Sequence, residues 1–265
     1  MTLPKLTAIG SGKGGTGKTL TATALASALA HQGERVLLCD CDLGLSNSTV
    51  HLGLETGGDL AGLLSGRAML HQAVTTVMGG VDQRGGFDLI AAPSGSGTLA
   101  NLDPTIAERL IAKLRNARAY DRILLDLSAG VDATTMGFAA RADETLLVLT
   151  ADPAALTDAY AFVKILLRLG GRKPLAVVNM ADSEAEARRT RDALAKTCRA
   201  FLKTSIDYLG FIPRDHHVSM AIRQQRPLVV LYPQAPSARA IEQLARRLSE
   251  PARHGSPAEG AVKMR

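Results

Sequence analysis

The chain of 265 residues has no tryptophan, only 3% aromatic residues, three cysteines and no apolar run approaching a membrane span. Each shortage excludes something. With so few aromatics the core has to be aliphatic, made of Val, Leu, Ile and Ala. Cys39, Cys41 and Cys198 are too few, and odd in number, for a disulfide framework, so free thiols are expected. Cys39 and Cys41 alternate along a strand end and read as small buried hydrophobes, because a metal cluster would need a further ligand pair. A bilayer helix takes roughly 20 consecutive apolar residues, and the N-terminus has no charged-then-apolar leader, so a cytoplasmic protein is expected. Charge of one sign is not in large excess: Lys and Arg outnumber Asp and Glu by 31 to 25, for a net charge of +6. That balance permits contact with nucleic acid or anionic lipid and requires neither. Much of the excess lies in Arg188, Arg189, Arg191, Lys196, Arg199 and Lys203 on one expected helix, whose solvated face can hold them without a partner.

What is present is an alternation of short Val/Ile/Leu runs with helical stretches, the pattern of strands buried on both faces of a parallel sheet. Strands are expected near Leu6–Gly10, Arg35–Asp40, Phe87–Ala91, Arg122–Leu127, Glu144–Thr150, Leu175–Asn179 and Tyr208–Ile212. Helices are expected over Lys18–His31, Pro104–Ala119, Ala154–Leu169, Ser183–Thr204 and Ser237–Leu248, with shorter ones at Asp59–Leu64 and Val218–Gln225. The fold class that follows is α/β, a doubly wound, mostly parallel sheet with helices on both faces. No composition break divides it, so residues 1–250 are expected as a single domain. Residues 251–265, rich in Pro, Gly, Ala and charge, are expected as a disordered tail. Ile241, Leu244, Ala245 and Leu248 are spaced to pack on the sheet rather than on lipid.

Between the first strand and the first helix stands Gly12-Lys13-Gly14-Gly15-Thr16-Gly17-Lys18-Thr19, a phosphate-binding loop of the P-loop NTPase type. Its glycines let backbone N–H groups turn inward around an anion, and the following helix adds the positive end of its dipole. Lys18 is expected on the β- and γ-phosphates and the Thr19 hydroxyl on Mg²⁺. Lys13 is surplus to that scheme; a second ammonium at the mouth of the loop can stabilise phosphate charge in its own site or in that of a facing subunit.

The second strand ends in Asp40-Cys41-Asp42. Two carboxylates beside a nucleotide can hold Mg²⁺ through water and orient an attacking water in line with the γ-phosphate, which assigns Asp42 to the water and Asp40 to the magnesium shell. The fourth strand closes in Asp126, a second Mg²⁺-organising position, followed by Gly130 as a backbone N–H facing the γ-phosphate. Asn179 and Pro213, each at a strand end, are expected on the base side, Asn179 through the N6 and N7 edge of adenine. His216 and His217 are expected on the surface without a companion ligand. The candidate set is therefore Lys13, Lys18 and Asp42 for catalysis. Gly12, Lys13, Gly14, Gly15, Thr16, Gly17, Lys18, Thr19, Leu20, Asn179 and Pro213 are expected at the nucleotide, and Thr19, Asp40 and Asp126 at the metal, with ATP and Mg²⁺ as the cofactors.

With the lysine-bearing loop, the Asp40/Asp42 pair and Asp126-x-x-Ala129-Gly130 in order, the chain resembles the deviant Walker A ATPases of the MinD/ParA type from about Leu6 to Leu248. Within them it looks most like the FlhG (FleN, YlxH) family of flagellar number regulators. That likeness rests on Asp42-Leu43-Gly44-Leu45-Ser46-Asn47, Leu52-Gly53-Leu54, Thr157-Asp158-Ala159-Tyr160 with Lys164, and the stretch from Gln224 to Pro233. The resemblance implies an ATP-dependent homodimer in which Lys13 of each subunit reaches the other's phosphates, with ATP hydrolysis then releasing monomers. It offers as partners a flagellar assembly protein, an FlhF-type GTPase or a transcription activator, with DNA or a membrane surface, at the inner membrane or cell pole, as further candidates. A partition-type ATPase binding DNA nonspecifically and a cell-division site-selection protein of the MinD kind are the alternatives.

Overall fold

The computed structural model describes residues 2–42, 47–91 and 105–250. In chain order the elements are β1 Lys5–Ser11, α1 Lys18–His31, β2 Val36–Asp40, α2 Ser48–Leu52, α3 Leu60–Ser65, α4 Leu70–Ala73, β3 Thr75–Val77, β4 Phe87–Ile90, α5 Thr105–Arg115, β5 Arg122–Ala129 and α6 Ala133–Arg141. They continue with β6 Glu144–Leu149, α7 Pro153–Arg168, β7 Leu175–Ala181, α8 Glu184–Leu202, β8 Asp207–Pro213, α9 His216–Arg223, α10 Leu228–Leu231 and α11 Pro236–Ser249. The strands form one sheet in the order β3-β4-β2-β5-β1-β6-β7-β8, all parallel except β3 against β4.

Side-chain alternation sorts the apolar runs onto two faces. Leu37, Cys39, Ile123, Leu125, Leu147 and Val178 look toward the layer of α5, α6, α7 and α8. Val36, Leu38, Leu124, Leu146, Val148 and Val177 look toward α1 and α11. Burial on both sides is why these strands read as unbroken apolar stretches. α1 is buried almost all round, wedged between the sheet and α11, and its alanines allow that close approach. In α11 the residues Ile241, Leu244, Ala245 and Leu248 are buried as their spacing requires. No helix among the described residues is long and apolar enough to cross a membrane.

All seven expected strands are present, and the structure adds β3. It also adds α6, whose start is set by Asp132 accepting from the N–H groups of Thr134 and Thr135, both at 3.0 Å. The expected helix start at Pro104, the Leu43-Gly44-Leu45-Ser46 stretch and the tail from Pro251 lie outside the described residues. At the base of the sheet Arg122 is buried and bonds Glu34 and Glu144, each at 2.7 Å, and the Leu248 carbonyl at 3.1 Å, tying the end of α11 to β5, β6 and the turn before β2.

Candidate functional site

β1 has β5 on one side and β6 on the other, so the connections diverge at its C-terminal end and leave a crevice there. The Gly12–Thr19 loop occupies that crevice and enters α1 through Gly17, whose φ of 84° suits a residue without a side chain. Two glycines are fixed by neighbours. A Cβ on Gly12 would lie 2.2 Å from the main-chain carbon and oxygen of Asp158 in α7, and one on Gly17 would lie 2.3 Å from Nδ2 of Asn179. The loop is thus pressed between α7 and the end of β7.

Asp40 and Asp126 are register partners on adjacent strands, both 1% exposed, and alternation turns both toward α1. Asp126 accepts a hydrogen bond from the Thr19 side chain. Burial, then the Asp40 charge beside it, pushes the Asp126 carboxyl well above the usual carboxylate range. Its Oδ1 is buried with no hydrogen-bond partner among the described residues. An orphaned carboxylate oxygen beside a second acid and a threonine hydroxyl is the donor set a hard divalent cation takes, so these residues fit Mg²⁺. Asp40 also fixes the local chain: its Oδ1 accepts from the Asp42 N–H at 3.0 Å and its Oδ2 from the Ser48 N–H at 3.2 Å.

Lys18, 9% exposed, has its pKa lowered by desolvation, a pull opposed by Asp126, Asp42 and Asp40. A cavity of about 310 Å³ joins Gly14, Gly15, Gly17, Lys18, Thr19, Leu20 and Asp42 in one space, with His51, Met180, Val218 and Ile222 beyond them. Sequence reasoning found the first group. It missed the second, which comes from α2, the end of β7 and α9 and has no local signature. His51 adds a buried Nδ1 with no hydrogen-bond partner among the described residues, and burial lowers its pKa.

Four placements refine the expectations. The Lys13 ammonium sits outside the phosphate cradle, 2.8 Å from Asp152 Oδ2 at the start of α7, with both side chains well exposed. Its bond to Asp152 raises the Lys13 pKa, and the same bond, with one from the Ala154 N–H, lowers that of Asp152. Asn179 donates to the Thr16 carbonyl at 2.7 Å and accepts from the Met180 N–H at 2.9 Å, so its amide braces the loop. Gly130, expected to face the γ-phosphate, donates its N–H to the Ser11 carbonyl at 2.9 Å because β5 continues alongside β1 to Ala129. Pro213 lines a different cavity, on the outer side of β8.

The surface expectation holds for His216 but not its lack of a companion. Asp215 lies 2.8 Å from His217 Nδ1 and 3.7 Å from that of His216. Asp215 is already engaged, accepting from the His217 N–H and from both the N–H and hydroxyl of Ser237. Cys39 and Cys41 are free and buried, with sulfurs 3.7 Å apart, on the sheet face away from Asp40.

Comparison with known proteins agrees with this geometry. Residues 7–228 match the CobQ/CobB/MinD/ParA nucleotide binding domain. The chain is 35% identical to the antiactivator FleN of Pseudomonas aeruginosa over 243 residues, 91% of this chain and 85% of that protein. It is 30% identical to the flagellum site-determining protein YlxH of Helicobacter pylori, covering 91% and 80% respectively. Among solved structures it superposes on the septum site-determining protein MinD of Pyrococcus horikoshii, complexed with Mg-ADP, at a TM-score of 0.78 and 25% identity, over 94% of this chain and 97% of that one. It also resembles the MinC:MinD complex of Aquifex aeolicus, with TM-score 0.76, 27% identity, and coverage of 92% and 95%.

Proposed function

Because the chain belongs to the CobQ/CobB/MinD/ParA nucleotide-binding family, we propose that it is an ATP-hydrolysing dimerisation switch of the MinD/ParA type that controls the number or placement of flagella. The carrying observation is the convergence of Lys18, Thr19, Asp40, Asp42 and Asp126 at the start of α1, with Lys13 held at the rim. The flagellar relatives supply the cellular role.

In this reading the loop N–H groups and Lys18 bind the β- and γ-phosphates, and Thr19, Asp40 and Asp126 would hold Mg²⁺, which when bound neutralises developing phosphate charge. Asp42 orients a water for in-line attack on the γ-phosphorus: the new P–O bond forms from water, the bond to the β-phosphate oxygen breaks, and ADP and phosphate leave. Lys13 exchanges Asp152 for the triphosphate of the facing subunit, so that γ-phosphate is sensed by a contact made in the dimer alone. Asn179 keeps the loop in its binding shape. The base rests among Met180, Val218 and Ile222.

Sedimentation of the protein with ATP, with ADP and without nucleotide tests the switch: a dimer with ATP alone is expected, and a monomer in all three states overturns it. Loss of the gene in its own host should change the flagellar count. A normal count would move the role toward the cell-division or DNA-partition alternatives. The DNA alternative gains little from α8, where Arg188 is paired with Glu184 at 2.6 Å and Arg191 with Asp192 at 3.1 Å.

A further inference from the structure

β8 is the last strand of the sheet, so its outer edge carries main-chain N–H and C=O groups with no strand beside them. α8 covers one face next to this edge and α11 the other. Between them opens a cavity of about 630 Å³, twice that of the phosphate side and lined by none of the phosphate-loop residues.

The floor of this cleft is apolar, with Phe211 and Leu244 on either side of Gly210. A Cβ on Gly210 would lie 2.7 Å from Leu244 and 3.1 Å from Arg247, so the glycine is what lets α11 pack this closely against β8 beside the cleft. Its walls carry Arg188, Arg239 and Arg247. The facing acids are already matched, Glu184 by Arg188 at 2.6 Å and Asp182 by Arg214 at 2.9 Å. Arg239 and Arg247 bond only neutral oxygens among the described residues, Gln234 Oε1 and the Leu209 carbonyl. The Tyr208 hydroxyl is buried without a hydrogen-bond partner among the described residues, its ring under the Arg191 guanidinium at 5.3 Å. Two guanidinium groups that bond no carboxylate among the described residues call for an anionic guest.

The spacing specifies the guest further. α11 runs antiparallel to β8, since Ser237 meets Asp215 just past the strand's end and Arg247 meets Leu209 near its start. Arg239 and Arg247 are therefore separated by roughly 12 Å along the edge, at 1.5 Å per helical residue. On an extended chain, positions i and i+4 share a face and lie about 13 Å apart.

We propose that this cleft binds an extended acidic peptide segment of a partner protein, added along the open edge of β8. Carboxylates at i and i+4 meet Arg239 and Arg247, and the apolar side chain between them rests on Phe211 and Leu244. Main-chain pairing supplies affinity and the two charges set the register. The site is independent of the nucleotide reading.

The probe is an acetyl-capped, fluorescein-labelled decapeptide of alternating Val and Thr with two Asp residues at i and i+4, titrated by anisotropy against the full chain. Saturable binding is expected, with main-chain pairing supplying the affinity. Moving the second Asp to i+3, or replacing both by Lys, should weaken binding by about tenfold or more. So should the double variant Arg239→Gln/Arg247→Gln, and separately Ala240→Glu, which keeps both arginines and adds an anion to the cleft. ATP turnover should be unchanged in both variants, which shows that they fold. Indifference to Asp spacing, or peptide binding that survives both variants, overturns the proposal. So does an absence of peptide binding when single-stranded DNA or phosphatidylglycerol vesicles bind in an Arg239- and Arg247-dependent way.

Discussion

Replacing Asn179 by leucine separates two roles that the position could play. Asn179 and Thr16 are each 3% exposed, and the 2.7 Å bond from the amide to the Thr16 carbonyl crosses from the end of β7 to the phosphate loop. Leucine is close in volume but cannot donate. The Thr16 carbonyl would then be buried without that partner, which costs about 1–3 kcal/mol. The Met180 N–H loses its acceptor as well, at a residue held at φ 57°. The bond ties the loop in its binding shape, so the cost falls on nucleotide affinity. At 1.4 kcal/mol per factor of ten, the dissociation constant should rise about 5- to 150-fold.

The assay is titration with fluorescent ATP and GTP analogues, beside a thermal melt. A brace acts before the base is read, so both nucleotides should lose affinity by the same factor. The melting temperature should fall by ~2–4 °C for each kcal/mol that is global rather than local. If ATP affinity falls while GTP affinity stays at the wild-type value, Asn179 reads the adenine edge and the bracing argument fails. Unchanged affinity for both would also refute it.

Lys13→Ala should abolish ATP-dependent dimerisation while sparing most ATP binding, read as oligomer mass against titration on the same samples. Asp42→Ala should keep the ATP dimer and stall turnover, so phosphate release at the wild-type rate would remove Asp42 from the water. Gly12→Ala, which sets a methyl 2.2 Å from the Asp158 main chain, should push the loop off α7 and cost at least about tenfold in nucleotide affinity, well beyond an ordinary surface substitution. For Asp215, burial pulls the carboxyl pKa up, but the bonds from His217 and Ser237 outweigh it and hold the group well below the usual range. A lowered folded-state pKa adds stability that is fully present above the unfolded value, ~3.9, and is lost as pH falls through the folded one. Urea midpoints should therefore drop more steeply below pH ~4 in the wild type than in Asp215→Ala.

The phosphate loop, Asp40, Asp42 and Asp126 were legible because each is a local pattern: glycines that must turn, then acids closing apolar runs. The central strands were legible because burial on both faces leaves an unbroken apolar run. β3 was not, since three residues at an antiparallel edge have too little length to show a period. α6 was missed although Asp132 ahead of Thr134 and Thr135 is a capping signal, because Gly137 and its short length blur the helical pattern. The partners of Lys13 and Asn179 lie 139 and 163 positions away in the chain, and no spacing rule reaches them. For the same reason sequence did not show that Pro213, at a strand end it assigns to the base, lines the cavity beside β8.

The Lys13–Asp152 pair says more about the switch than the loop does. In the proposed dimer Lys13 cannot serve Asp152 and a facing triphosphate at once, so the pair competes with assembly. A buried ion pair would make that competition prohibitive, because breaking it strands a charge. This one is 41% exposed on the lysine and 48% on the aspartate, so water and salt replace either partner cheaply. The contact can therefore keep Lys13 from wandering without holding the monomer closed. Because Asp152 also caps α7 through the Ala154 N–H at 2.8 Å, withdrawing Lys13 changes the charge at that helix start, and α7 is the helix against which Gly12 is packed. In the proposed dimer, nucleotide state and the outer surface of α7 would thereby be coupled through one lysine. Asp152→Asn, which keeps the cap and removes the charge, should promote ATP dimerisation at low ionic strength and lose that advantage in ~1 M salt, where exposed charges are screened within about 3 Å. Identical dimerisation of Asp152→Asn and wild type at both salt concentrations would show that the pair plays no part in the switch.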